Sequence, residues 1–555
     1  MTFGMSRGPG RGLRSGDAGP SHGDIGLPRS LPILPGHLMS RLLLSVFSLF
    51  LALAWPSVAL AQRSLSFEPH ALPEQGTVAI AVAEGLPDEG SFAAIDARSG
   101  GALRRMAGLE GFRGKEDSML DLRGFAGYER LLVLGTGKEP LSPTALQDIG
   151  GRVARATARS RAGRVDLVWD GDEAEAAAHL AFGASLGQYR FDKYRSKQDE
   201  EGGNDAGAGV LAIRTREGAA AAAAWNAEWK PVADAVAFAR DLSTEPANAL
   251  WPEEFVSRVR AAAAGLPLRI EVLDEAAMRR LGMGAILAVG QGSARPPRLL
   301  VVRYQGGGEG EAPLAFVGKG ITFDSGGISL KPNSNMWQMK GDMTGAATVV
   351  STVIALAGRK APVNAVAVAA LAENMPSGKA SRPGDVIRTA SGKTFEIMST
   401  DAEGRMVLTD ALWYVQRQDR PKLVVDVATL TGAIVSALGG DYAGLFSRDD
   451  DLAGQLLAAG EASGEELWRM PLRDDYGKRL KSPIADLRNG GGSPGAGAGA
   501  YFIGEWVERG LPWAHLDIAG TDWASSARPT VPEGATGFGV RLLDRFVRDY
   551  HEPRG

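Results

Sequence analysis

The chain has 555 residues, of which 44% are hydrophobic and 23% charged, with a formal net charge of −4. That length supports more than one domain and a large core, and the slightly acidic balance gives no electrostatic drive towards nucleic acid or anionic membranes. The absence of cysteine excludes disulfides, thiolate metal sites and a thiol nucleophile.

Residues 1–38 are rich in Gly, Pro, Ser and Arg without periodicity and read as a disordered or wrongly assigned extension, with Met39 as the true start. From Met39 to Gln62 runs "MSRLLLSVFSLFLALAWPSVALAQ". Arg41 supplies the positive end, Leu42 to Trp55 an apolar stretch too short for a comfortable span, and Ala59-Leu60-Ala61 a small-x-small cleavage site. Residues 39–61 therefore read as a signal peptide cut after Ala61. The expected location is the periplasm or outside the cell, without a stable membrane anchor, or the cytoplasm if the segment is not a working signal.

An N-terminal α/β domain is expected over residues 62–215. "RLLVLGTG" (130–137) and "VDLVWDG" (165–171) are short apolar runs closed by glycine, as buried strands should be. Between them "SPTALQDIGGRVARATARS" opens with a Ser-Pro helix start. The acidic, glycine-rich run 197–209 reads as an exposed loop. A second, larger unit is expected over 216–555, entered by an Ala-rich helix. Its apolar runs "RLLVVRY", "PLAFVG", "VNAVAVAALAEN" and "KLVVDVATLTG" suit strands covered on both faces, so an α/β/α layered arrangement with a mixed sheet is predicted. "GGGSPGAGAGA" (490–500) reads as a mobile loop near a functional face.

Chemistry is first narrowed by exclusion. The six histidines include no pair four apart, so a His-Glu-x-x-His zinc helix is absent. The phosphate-loop and serine-elbow patterns fail around Gly318-Lys319 and Ser325. What remains is a site of carboxylates and lysines. Lys319 and Asp324 are expected in a glycine-rich turn, with Lys331 before a proline and Asp342 just ahead of an apolar helical run, 344–357. Asp401, Glu403 and Arg405 stand at alternate positions, which in an extended segment would share one face. Burying that many carboxylates needs compensation, which a divalent metal pair would supply. Alone, each fragment is more often a solvated turn or strand edge.

Taken together, "VGKGITFDSGGISLKP", "MKGDMTGAA", "TDAEGR", "VATLTGA" and "WAHLDIAG" resemble the leucyl (cytosol) aminopeptidases, a family of two-metal exopeptidases. "RDLSTEPANALWPEEF" and "LAENMPSGKASRPGDV" extend the likeness across 240–548. The resemblance implies that Lys319, Asp324, Asp342, Asp401 and Glu403 bind two divalent ions, manganese or zinc, with Asp324 and Glu403 bridging them. Lys331 would stabilise the oxyanion, and Arg405 would hold a bicarbonate acting as general base towards a bridging water. Met339, Thr429, Gly432 and Ala519 would line a pocket for leucine or a similar apolar residue at a peptide's N-terminus. A homohexamer is implied as well, and no nucleic-acid partner is expected. A DNA-binding protein, an inactive relative and a two-metal phosphatase are the competing readings. Ser399 and Met406 depart from the family signature. Asp522, in "AGTDW", stands where an apolar residue is frequent and raises the expectation that basic N-terminal residues are accepted.

Overall fold

A computed structural model describes residues 62–138, 140–196 and 209–553. The signal-peptide reading, the N-terminal extension and most of the acidic loop lie outside those residues.

Two sheets organise the chain. The first has six strands: β1 (Ser64–Pro69), β2 (Gly76–Ala83), β3 (Met119–Phe125), β4 (Tyr128–Gly137), β5 (Arg164–Val168) and β6 (Val210–Thr215). Their order is β1-β6-β5-β2-β4-β3, parallel except for the β3–β4 pair. Between β4 and β5 the Ser-Pro start becomes helix Pro143–Ala156, with the Ser142 hydroxyl accepting from the Ala145 N–H.

The second sheet takes β7 (Leu268–Leu273), β8 (Arg298–Gln305), β9 (Leu314–Asp324), β10 (Asn364–Asn374), β13 (Leu423–Ala428), β14 (Ala443–Ser447), β15 (Leu467–Arg469) and β17 (Trp513–Asp517). Short strands β11 (Val386–Arg388), β12 (Thr394–Glu396) and β16 (Leu487–Arg488) form a separate sheet. The large sheet runs β15-β14-β17-β13-β9-β10-β8-β7, with β17, β13, β9 and β10 mutually parallel and antiparallel pairs towards both edges. It is mixed, as expected.

Strand periodicity separates two cores. Along β10, Ala365, Ala367, Ala369 and Leu371 join one apolar cluster, while Val366, Val368, Ala370 and Ala372 join the other. Helix Thr344–Gly358 covers the first face, and helices Gly284–Gly290, Glu403–Gln418 and Gly495–Gly504 cover the second. Covering both faces explains why these strands lack polar alternation. Each fully buried valine or leucine contributes about 1.5–3 kcal/mol. The first cluster is continuous with the core of the N-terminal sheet, through Val232, Val236 and Ala239 of helix Lys230–Thr244.

Three expectations are corrected. Lys319 and Asp324 do not sit in a turn, because β9 continues to Asp324. Gly318 and Gly320 serve close packing there: a Cβ on Gly318 would lie 2.5 Å from Ala346 Cα of the covering helix. The expected loop 490–500 is helical from Gly495 onwards and largely buried, since its small residues let it approach closely. A Cβ on Gly497 would lie 2.6 Å from the Tyr476 ring. The third correction concerns Asp401 to Arg405: helix Glu403–Gln418 begins within that stretch, so the three side chains do not alternate along a strand.

Candidate metal centre

The site forms at the carboxyl ends of β9, β10 and β13, where ligand-binding residues of open α/β sheets collect. Asp324 ends β9 and is paired in register with Asn374 at the end of β10. Thr429 follows β13 directly. The turn after Asp324 uses Gly326 and Gly327 at φ +86° and +67°, the left-handed region that glycine adopts freely. A Cβ on Gly327 would also lie 2.7 Å from Asn374 Oδ1. This turn returns Lys331 to the cleft, its N–H donating to the Ser325 carbonyl at 2.9 Å. Thr400 ties it to the Asp401 segment, donating from Oγ1 to the Gly326 carbonyl at 2.6 Å and accepting from the Ser329 N–H at 2.8 Å.

Two lysines knit four carboxylates together. Lys319 Nζ lies 2.7 Å from Asp342 Oδ1 and 2.9 Å from Glu403 Oε1, and donates to the Thr429 carbonyl at 2.7 Å. Lys331 Nζ lies 2.9 Å from Asp324 Oδ2 and 2.6 Å from Asp401 Oδ1. Asp324, Asp401 and Glu403 each offer an oxygen within 4.8 Å of the others. The Lys319 stem reaches this point because residue 404 is glycine: a Cβ there would lie 2.5 Å from Lys319 Cδ.

Four carboxylates against two ammonium groups leave two negative charges over, in a buried place. Burial raises the Asp324, Asp342 and Asp401 carboxyls. Burial would raise Glu403 too, but Lys319 and Lys331 bring it below the ordinary range. Lys319 is raised although burial opposes its charge, because Asp342 and Glu403 flank it. Asp342 Oδ2 and Glu403 Oε2 are buried with no hydrogen-bond partner. Surplus acid together with two unsatisfied carboxylate oxygens fits a divalent-cation site, with hard oxygen donors and one amine. A purely structural ion-pair network would leave those oxygens a large unrecovered cost.

The remaining expected residues are distributed around this cluster. Arg405, in the first turn of its helix, donates from Nη1 to the Asn489 carbonyl at 2.9 Å, and its Nε has no partner. Met339 lies on the 3₁₀ turn Met336–Gly341 that leads into Asp342. The Thr429 hydroxyl donates to Asp342 Oδ1 at 2.7 Å. Gly432, exposed, begins helix Gly432–Leu438, and Ala519 follows β17.

Two organising residues escaped the sequence reading. Asn374 donates to Asp324. Buried Asp517 accepts from the Leu430 and Thr431 N–H groups at 3.0 and 3.3 Å, from Thr431 Oγ1 at 2.7 Å and from the Ala519 N–H at 3.4 Å. It thereby fixes the two loops that carry Thr429, Gly432 and Ala519. The available signal was a polar residue closing an otherwise apolar strand, at "ALAEN" and "WAHLD".

Comparison with known proteins gives concordant matches. Residues 237–544 match the model "Cytosol aminopeptidase family, catalytic domain", and residues 79–198 match that family's N-terminal domain. A "Probable cytosol aminopeptidase" of Caulobacter vibrioides is 46% identical over 500 residues, covering 88% of this chain and 99% of that one. One from Rhodopseudomonas palustris (strain TIE-1) is 45% identical over 501 residues, with the same coverage. Among solved structures, the bottromycin maturation enzyme BotP in complex with Mn superposes with a TM-score of 0.74 at 36% identity, covering 86% of this chain and 99% of that one. A mutant of tomato leucine aminopeptidase gives a TM-score of 0.77 at 32% identity, covering 88% and 97%.

Proposed function

The chain belongs to the cytosol aminopeptidase family and is a metal-dependent aminopeptidase acting on peptides, and on that premise we propose that it preferentially releases N-terminal leucine and similar apolar residues. The observation that carries the site assignment is the convergence of Lys319, Asp324, Asp342, Asp401 and Glu403 with two unsatisfied buried carboxylate oxygens. These five residues would hold two divalent ions, manganese or zinc. Bound there, the ions would supply Lewis acidity towards the scissile carbonyl, a seat for the substrate α-amine and a more acidic bridging water.

The chain's own groups account for the rest. Lys319, an ammonium while Asp342 and Glu403 alone flank it, would join the ligand set only as the neutral amine, with Nζ donating to the Thr429 carbonyl and its stem packed over Gly404. Lys331, whose side chain is 22% exposed, reaches the cleft with its ammonium and would stabilise the oxyanion that forms on the carbonyl. The Arg405 guanidinium is not paired with any carboxylate among the described residues. It would hold bicarbonate, which would supply a general base at the cleft. Met339, Thr429, Gly432 and Ala519 would form the pocket for the first side chain. We further infer a homohexamer, and export directed by residues 39–61. Amino-terminal sequencing of protein recovered from the periplasm tests the export.

The activity assay is hydrolysis of leucine p-nitroanilide with and without added manganese or zinc. Metal-dependent turnover that is lost with chelator and with Lys331→Ala supports the reading. A folded preparation inactive with every metal contradicts it.

A further inference from the structure

The turn after β17 carries an acidic side chain for which the metal cluster has no use. The N–H groups of Thr521 and Asp522 both donate to the Ile518 carbonyl at 3.0 Å, which closes the turn tightly. The Asp522 carbonyl accepts from the Thr536 N–H at 3.0 Å and from Thr536 Oγ1 at 3.2 Å. So anchored, the side chain is directed at Gly341. Its Oδ2 lies 3.6 Å from the point where a Cβ on Gly341 would sit. Gly341 is the residue between Lys340 and Asp342, two positions from Met339, and Ala519 stands three residues before Asp522. The carboxylate therefore stands between the segment that carries Met339 and the turn that carries Ala519, two of the residues that would line the pocket.

This carboxylate makes no ion pair among the described residues. The backbone N–H groups of Asp522 and Trp523 and the more distant charge of Lys319 favour its ionised form, and Asp517 opposes it. Lys340, next to Gly341 in sequence, lies with Nζ over the rings of Trp337 and Trp523, 5.8 and 5.5 Å from their centroids, where Glu245 favours its charge. Burial pushes the Asp522 carboxyl up to about 8, which marks a site where an anion lacks compensation. The residue as a whole nonetheless keeps partial solvent exposure. An aliphatic stem lying along Met339 and Ala519 with a cation at its end would satisfy both surfaces.

We propose that Asp522 is a specificity-determining residue that receives the ammonium or guanidinium group of an N-terminal lysine or arginine, adding basic residues to the apolar ones accepted at this site. The proposal rests on the aminopeptidase reading above.

The test compares kcat/KM for lysine and norleucine p-nitroanilides, two side chains of matched stem that differ in the terminal charge. Manganese-loaded wild type, Asp522→Asn and Asp522→Ala are assayed together. The lysine-to-norleucine ratio, in which general losses of activity cancel, is expected to fall at least about tenfold in both variants. An unchanged ratio alongside continued norleucine turnover overturns the role of Asp522 and leaves the aminopeptidase reading intact. No turnover of either substrate by wild type overturns that reading and this proposal together. A second measurement uses wild type alone, so variant folding does not matter: lysinamide should compete with leucine p-nitroanilide at least about tenfold more tightly than norleucinamide. Equal inhibition overturns the proposal.

Discussion

Asn374 Nδ2 donates to Asp324 Oδ1 at 2.8 Å, and the same amide donates to the Thr400 carbonyl at 3.0 Å. One buried side chain thus links the end of β9, the end of β10 and the segment that carries Asp401. Because Asp324 Oδ1 also accepts the Gly326 N–H at 2.8 Å, its carboxylate is fixed in rotation, with Oδ2 turned towards Lys331. Residues that orient a metal-binding carboxylate in this way usually matter about 10–100-fold in metal affinity. Asn374→Ala is expected to weaken manganese binding by that order, measured by calorimetric titration. Wild-type affinity in the variant would count against the arrangement.

A second prediction concerns Gly404. Its missing Cβ makes room for the stem of Lys319, with Cδ, Cε and Nζ at 2.5, 2.6 and 2.8 Å from where that atom would sit. Gly404→Ala must displace a fully enclosed lysine, and overpacking of this kind costs about 1–3 kcal/mol. Chemical denaturation should show that loss together with reduced turnover. Gly454, exposed within helix Asp450–Ser463 and with nothing within 4 Å, supplies the contrast. There alanine should gain up to about 1 kcal/mol from helix propensity.

The third prediction follows from His179. Burial, then the charges of Arg545 and Arg548, lower its pKa to about 4. The ring packs 4.4 Å from Trp229, with Nδ1 3.3 Å from Gln147 Nε2. Glu175 at 3.8 Å would favour the charged form but is too exposed to offset burial. The folded state thus keeps His179 neutral where the unfolded chain, with a pKa of about 6.5, binds a proton. Between those values the unfolded state holds more protons, so stability falls as pH drops, by up to about 3 kcal/mol from this group. Denaturation midpoints from pH 7 to 4 should fall more steeply for wild type than for His179→Gln. Parallel curves would contradict the assignment.

Much of this was legible in the sequence, for reasons that individual residues make clear. The apolar runs of β8, β10 and β13 are continuous because both sheet faces are covered, so composition alone marked them as buried strands. Ser142-Pro143 announced a helix by local chemistry. The region 318–324 misled because glycine has two uses: Gly326 and Gly327 turn the chain, whereas Gly318 admits a helix backbone. Only the neighbour distinguishes the two, and that neighbour is distant in sequence. The same holds for 495–504, where small residues mean close packing rather than mobility. Asp401 and Glu403 were singled out, but alternation was the wrong geometry because a helix starts between them. Asn374 and Asp517 act by orienting other residues, and no local pattern distinguishes such a polar residue from an ordinary strand end.

If Lys319, Asp324, Asp342, Asp401 and Glu403 hold two divalent ions, purified protein dialysed to equilibrium against manganese will carry them, and metal is counted for wild type, Asp324→Asn and Glu403→Gln. The prediction is about two ions per chain in wild type and fewer in each folded variant. Wild type that retains no manganese, or variants that retain as much as wild type, would contradict it.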